Sequence, residues 1–107
     1  MTTLLTGYPT SVANKRLAVA DHTGPASYPT GGETLPATDM HMSGFDWVRV
    51  AQYTMSGTYQ CVPLYPALAH GCTPTVKLAW YVVATGLEVA NATNLSAEHI
   101  RLEAIGI

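Results

Sequence analysis

Glycine and proline recur along the chain, nine and seven of them in 107 residues, and this punctuation leaves no room for long helices. Proline removes an amide donor and clashes with the preceding helical turn, while a glycine inside a helix is about 1 kcal/mol less favourable than alanine. What remains is a series of short segments joined by turns. Several alternate apolar and polar residues with a period of two, as half-buried strands do. The expectation is an all-β fold, a small antiparallel β-sandwich or barrel of jelly-roll-like form. One domain would span 15–107, preceded by a polar, turn-rich N-terminal arm over residues 1–14.

Arg16–Asp21 reads as the first strand, with Leu17 and Val19 on one face. A long Pro/Gly-rich loop over 22–37 follows, and loops of that length in small domains are usually functional or held by a partner. In Phe45–Tyr53, Val48 and Val50 point one way, and Trp47, Arg49, Ala51 and Tyr53 the other. Ser56-Gly57 turns the chain into Thr58–Val62, and Pro63 and Pro66 suit an edge strand. In Thr75–Ala84 both faces are apolar: Val76, Leu78, Trp80 and Val82 on one, Ala79, Tyr81 and Val83 on the other. Such a strand belongs at a sheet centre or at a subunit interface. Leu87–Ala90 is short. Glu98–Gly106 reads as a strand because Ile100, Leu102 and Ala104 alternate with Arg101 and Glu103, although Ser96 could cap a helix.

Charged residues make up 11% of the chain and apolar ones 48%, with a formal net charge of −2. Typical soluble domains carry about 25% charge, so Thr, Ser, Gly, Ala and Pro have taken its place. A nucleic-acid partner is not expected, because phosphate binding needs a Lys/Arg footprint and Lys15-Arg16 is the only adjacent basic pair. No apolar run approaches the ~20 residues of a membrane span. The first residues lack the basic and apolar regions of a signal peptide, so synthesis and retention in a cytoplasm-like compartment are expected. Cys61 and Cys72 would then be free thiols, a bridge between them being the alternative.

Candidate chemistry is thin. His70, Cys72 and Cys61 could supply metal ligands, but their spacing matches no zinc pattern. A metal-dependent enzyme using His70, Cys72 and His41 is the corresponding alternative. Asp21-His22 and Asp39-Met40-His41 each pair a carboxylate with an imidazole. Neighbours in an extended chain point to opposite faces, and no nucleophile motif accompanies the second pair. The expectation is no enzyme, no cofactor and no metal. Tyrosines serve well at interfaces. Tyr8 and Tyr28, each before a proline, suggest anchoring contacts, whereas a sugar-binding platform lacks a supporting cluster of polar side chains.

Three groups of residues carry a family resemblance: Asn14–His22; Gly24–Tyr28 with Thr30–Pro36; and Ala84–Ala90 with Asn94–Ser96 and Arg101–Gly106. Together they resemble the small capsid decoration (cement) proteins of tailed bacteriophages, while 38–74 match less well. The resemblance implies a β-rich structural protein on the outer surface of the virion capsid, made in the host cytoplasm, that clamps adjacent major capsid subunits. It implies no active site. A homo-oligomer is expected, a trimer before a dimer, since symmetric attachment multiplies modest contacts. Tyr8, Pro9, Tyr28, Pro29, Thr30 and Leu35 are the candidates for capsid contact, and Ala79, Tyr81 and Val83 for the subunit interface. A carbohydrate- or host-surface-binding module on a virion is the second reading.

Overall fold

Antiparallel pairing organises the described residues. The computed structural model describes residues 2–4, 10–12, 15–53, 56–65 and 72–107. Its strands are β1 (Thr2–Leu4), β2 (Thr10–Val12), β3 (Lys15–Thr23), β4 (Glu33–Pro36), β5 (Phe45–Tyr53), β6 (Tyr59–Leu64), β7 (Thr75–Val82) and β8 (His99–Gly106). A 3-10 turn, Ala37–Met40, follows β4. One sheet runs β3–β8–β5, with β1 and β2 both paired along the outer edge of β3; the other runs β4–β7–β6. Strands β3, β4, β5 and β6 alternate between the sheets, which gives the expected small all-β sandwich its jelly-roll-like connectivity. The segment 99–106 is a strand, and the helical alternative does not form.

The expected N-terminal arm is corrected for its described residues. Thr2 to Leu4 pair with His22 to Ala20, and Thr10 to Val12 with Leu17 to Lys15. Both pieces belong to the sheet because β3, with β8 on its other side, leaves a row of backbone groups that pairing satisfies. The long loop is also shorter than expected, since β3 runs to Thr23 and β4 begins at Glu33.

The core lies between the sheets. Sheet β3–β8–β5 contributes Ala18, Ala20, Ile100, Leu102 and Ala104; sheet β4–β7–β6 contributes Leu35, Val76, Leu78, Trp80 and Cys61. Small residues on the first wall are matched by large ones on the second. Ala18 sits directly across from Ala104, while on the second wall the Trp80 indole is fully buried and reaches Glu33 beside His22. Burying a side chain of Leu or Phe size contributes about 1.5–3 kcal/mol. Phe45, Met40 and Met42 join the core at the end near the 3-10 turn, and Tyr28, Val89 and Leu95 at the opposite, loop-rich end. β7 is the centre of its sheet, which accounts for its apolar inner row.

β5 departs from regular pairing twice, between Phe45 and Trp47 and between Val50 and Gln52. The second irregularity pairs Gln52 with Arg101 and Tyr53 with Ile100. Tyr53 therefore turns to the side of Val48 and Val50, not to that of Trp47 and Arg49 as strict alternation predicts. An extra residue in one strand re-aims every side chain beyond it.

Candidate interaction surface

The interior polar groups come first, because they decide whether the sequence's carboxylate–imidazole pairs form a reactive site. His22 is 5% exposed and points inward from β3. Its Nδ1 lies 2.7 Å from the Thr2 hydroxyl and its Nε2 2.7 Å from Glu33 Oε1. The Trp80 indole N–H donates to the same Glu33 oxygen at 3.2 Å. Because a carboxylate only accepts, Nε2 carries the proton in that contact, while the Thr2 hydroxyl can serve Nδ1 as donor or acceptor. The chain of bonds ties β1, β3, β4 and β7 together, and among the described residues no buried side-chain polar atom lacks a partner. Asp21 faces the other way and binds Arg101 at 3.1 Å, so the Asp21-His22 pair does not meet, as extended geometry dictates.

Asp39 and His41 are both exposed, His41 holding a left-handed backbone with φ of 55° after the 3-10 turn. His70 lies outside the described residues. Among the described residues no three His, Cys, Asp or Glu side chains gather as a metal would require. Cys61 and Cys72 are free. Cys61 is buried against Trp80 on the next strand, and burial pushes its thiol pKa well up. That thiol is a packing group.

Three expected contact residues are corrected by burial. Tyr28 and Leu35, taken as capsid-contact candidates, are 0% and 1% exposed and belong to the core. Tyr28 precedes a proline in a loop, but its ring fills the loop-rich end of the sandwich and its hydroxyl donates to Glu88 at 2.7 Å. Leu35 faces Val76 across β4 and β7. Ala79, taken as an interface residue, is 1% exposed although it points away from the core. A methyl group sits low between its cross-strand partner Val62 and its same-face neighbours Lys77 and Tyr81. Tyr81 is half-buried, and Val83, Pro29 and Thr30 are exposed. Tyr8 and Pro9 lie outside the described residues.

Two surfaces missed in the sequence stand out on the outer face of sheet β3–β8–β5. The first is an apolar row. Leu17, Ile105 and Trp47 are directly paired across β3, β8 and β5, with Leu17 and Ile105 half-buried and Trp47 38% exposed. Val19 extends the row along β3. Ile107, 47% exposed, follows β8 at the same end. β3 is thus inverted relative to ordinary amphipathicity: its alanines face the core and its larger aliphatic residues face outward. The tell-tale in the sequence is Ala at both 18 and 20, and nothing in that strand alone says which face is inside.

The second surface is a cleft of about 250 Å³ toward the other end of the same sheet, lined by Asp21, Gln52, Tyr53, His99, Ile100 and Arg101. Asp21, Arg101 and Gln52 stand in one cross-strand row. Tyr53, 45% exposed, pairs with Ile100 and points to the other face of the sheet at its edge. Its hydroxyl donates to the Cys61 carbonyl at 2.7 Å and accepts the Cys61 N–H at 3.2 Å. Period-two reading could not find this cluster, because the irregularity at 50–52 decides where Gln52 and Tyr53 point.

No protein-family model, curated protein or solved structure matches this chain.

Proposed function

We propose that this chain is a structural virion protein that binds the outer surface of a phage head and stabilises it by clamping adjacent major capsid subunits. The observation that carries this reading is the apolar row Leu17–Ile105–Trp47 on a solvent-facing sheet. A fold with an alanine-lined inner wall that places its larger aliphatic residues outside has a surface suited to another protein. The major capsid protein is the partner we assign to this row. Scarcity of charge favours the same use, since fewer ions must be desolvated on docking.

The stretches resembling decoration proteins also lie against one another. β3 pairs with β8 along its length. The loop after β3 packs on the one before β8: a side chain at Gly24 would overlap the Leu95 carbonyl, and Tyr28 and Gly31 both donate to Glu88. Self-association, with a trimer favoured over a dimer, is assigned to the outer positions of the other sheet: exposed Val62 and Val83 and half-buried Tyr81. Ala79 takes no direct part.

Co-sedimentation of purified protein with empty heads lacking it tests the proposal. The expected result is saturable binding at a fixed copy number and greater resistance of the heads to heat. A protein that stays in the supernatant, or heads whose heat resistance does not change on binding, would refute it.

A further inference from the structure

We infer that the outer face of sheet β3–β8–β5 packs against the same face of a second copy of this chain, about a two-fold axis running along the row Leu17–Ile105–Trp47. The pairing itself does not depend on the capsid reading.

The apolar row is bracketed by two ion pairs on its own face. On one side the next outward row is Val19–Glu103–Arg49, and Arg49 Nε reaches Glu103 Oε1 at 3.2 Å. On the other side stands Lys15, two residues before Leu17 and so on the same face of β3. Its Nζ meets Asp46 Oδ2 at 2.9 Å. Asp46 is the unpaired residue of the irregularity between Phe45 and Trp47, and its contact with Lys15 places its carboxylate on the outward face. The two pairs run in opposite senses. Along β5, Trp47 has the anion Asp46 before it and the cation Arg49 beyond it. The counter-ions, Lys15 and Glu103, reach in from the side of β3 and β8. Both cations are open to solvent, Arg49 at 60% and Lys15 at 43%.

A two-fold along the row exchanges its two sides and lays each strand over its counterpart. Arg49 of one copy then faces Asp46 of the other, and Glu103 faces the Lys15 ammonium. Because a two-fold contact is isologous, every such match is made twice. On the axis itself Leu17, Ile105 and Trp47 meet their own equivalents, apolar against apolar, with the two Trp47 rings stacked. Strands stay aligned, as in ordinary face-to-face sheet packing. A two-fold along β8 instead sets Glu103 over Glu103, so the charges select one orientation. Matched charges of this kind fix register more than they add affinity, and the apolar row supplies the attraction. A copy and a capsid subunit cannot occupy the row together. Resting on the capsid reading, the consequence is that the free protein carries its docking face closed. The self-association positions of the other sheet lie on the opposite side of the sandwich and remain available.

Charge reversal followed by sedimentation equilibrium at tens of micromolar protein tests the pairing. The parent is expected at twice the mass of Arg49→Glu and of Asp46→Lys, since each substitution opposes like charges at both symmetric contacts. An equimolar mixture of the two variants is expected to recover the doubled mass with one chain of each kind, because the reversed positions then face one another. That recovery also shows that both variants are folded. The inference is overturned if the parent has the mass of the variants, if either variant keeps the doubled mass, or if the mixture stays at the lower one. A parent of undoubled mass that binds empty heads overturns the pairing and leaves the capsid proposal standing. A doubled parent that ignores heads does the converse.

Discussion

The phenol oxygen of Tyr28 accepts the backbone N–H of Trp80 at 3.2 Å while donating its own proton to Glu88. A loop residue thereby completes the hydrogen bonding of the central strand of the second sheet. Tyr28→Phe keeps the ring but leaves the Trp80 amide buried without a partner. An unsatisfied buried donor costs about 1–3 kcal/mol, so a loss of about 2–3 kcal/mol is expected. Urea unfolding should show a lower midpoint with an unchanged slope.

The same hydroxyl makes the protein sensitive to alkali. Burial, and then the proton it shares with the Glu88 carboxylate, push the Tyr28 pKa up to about 12, against about 10 in an unfolded chain. Above pH 10 the unfolded chain releases a proton that the folded protein still holds, so unfolding gains with rising pH. The contribution is complete below pH 10 and is lost as the pH climbs through 12, a change of about 2 kcal/mol. Stability measured from pH 9 to 12 should fall less steeply in Tyr28→Phe than in the parent.

Tyr53→Phe tests the edge of β6. Without the hydroxyl, the Cys61 N–H and C=O lose the group that occupies them on the side away from β7. An open strand edge invites pairing with another chain. The variant is expected to lose about 1–2 kcal/mol and to aggregate faster on warming, followed by light scattering. Pro63, two residues on, has no amide to offer, so new pairing should be confined to the first half of β6.

Neighbouring substitutions on β3 separate its two faces. Ala18→Leu forces a large side chain into a filled core and should destabilise by about 1–3 kcal/mol. Leu17→Ser, one residue away, should leave the unfolding midpoint nearly unchanged, within about 0.5–1 kcal/mol. It should nevertheless reduce binding to empty heads several-fold. Calorimetry with head co-sedimentation distinguishes the two patterns.

Gly106 faces the Gly44 carbonyl so closely that any Cβ there would overlap it. The contact is backbone against backbone, with no flexible side chain to give way. Gly106→Ala is expected to lower the unfolding temperature by well over 5 °C, which for a domain of this size corresponds to at least about 1 kcal/mol.

Legibility in the sequence followed the kind of physics involved. β5, β7 and β8 were readable because local alternation and turn residues specify them without help from distant parts of the chain. β7 was correctly allowed to be a sheet centre, but Ala79 was misassigned because a strand pattern does not show that a methyl group sinks between taller neighbours. Tyr28 and Leu35 were misread for the opposite reason: they sit beside prolines and glycines, and only tertiary packing turns that loop inward. The inside face of β3 depended on its pairing with Leu102 and Ala104, which lie far away in sequence. The cleft rested on a one-residue irregularity in β5 that local propensity does not encode.

β8 lies between β3 and β5, and this placement bears on how the molecule is made. β3 and β5 emerge from the ribosome first, yet neither can pair across the gap until residues 99–106 have left the exit tunnel. The sheet must therefore close late, around a strand whose partners have been waiting, and contacts of such long sequence separation slow folding. Until then the outward aliphatic residues of β3 and its inward alanines are equally exposed, with nothing yet to distinguish the two faces. A nascent chain stalled before residue 99 should therefore depend on chaperones, and the released chain should not.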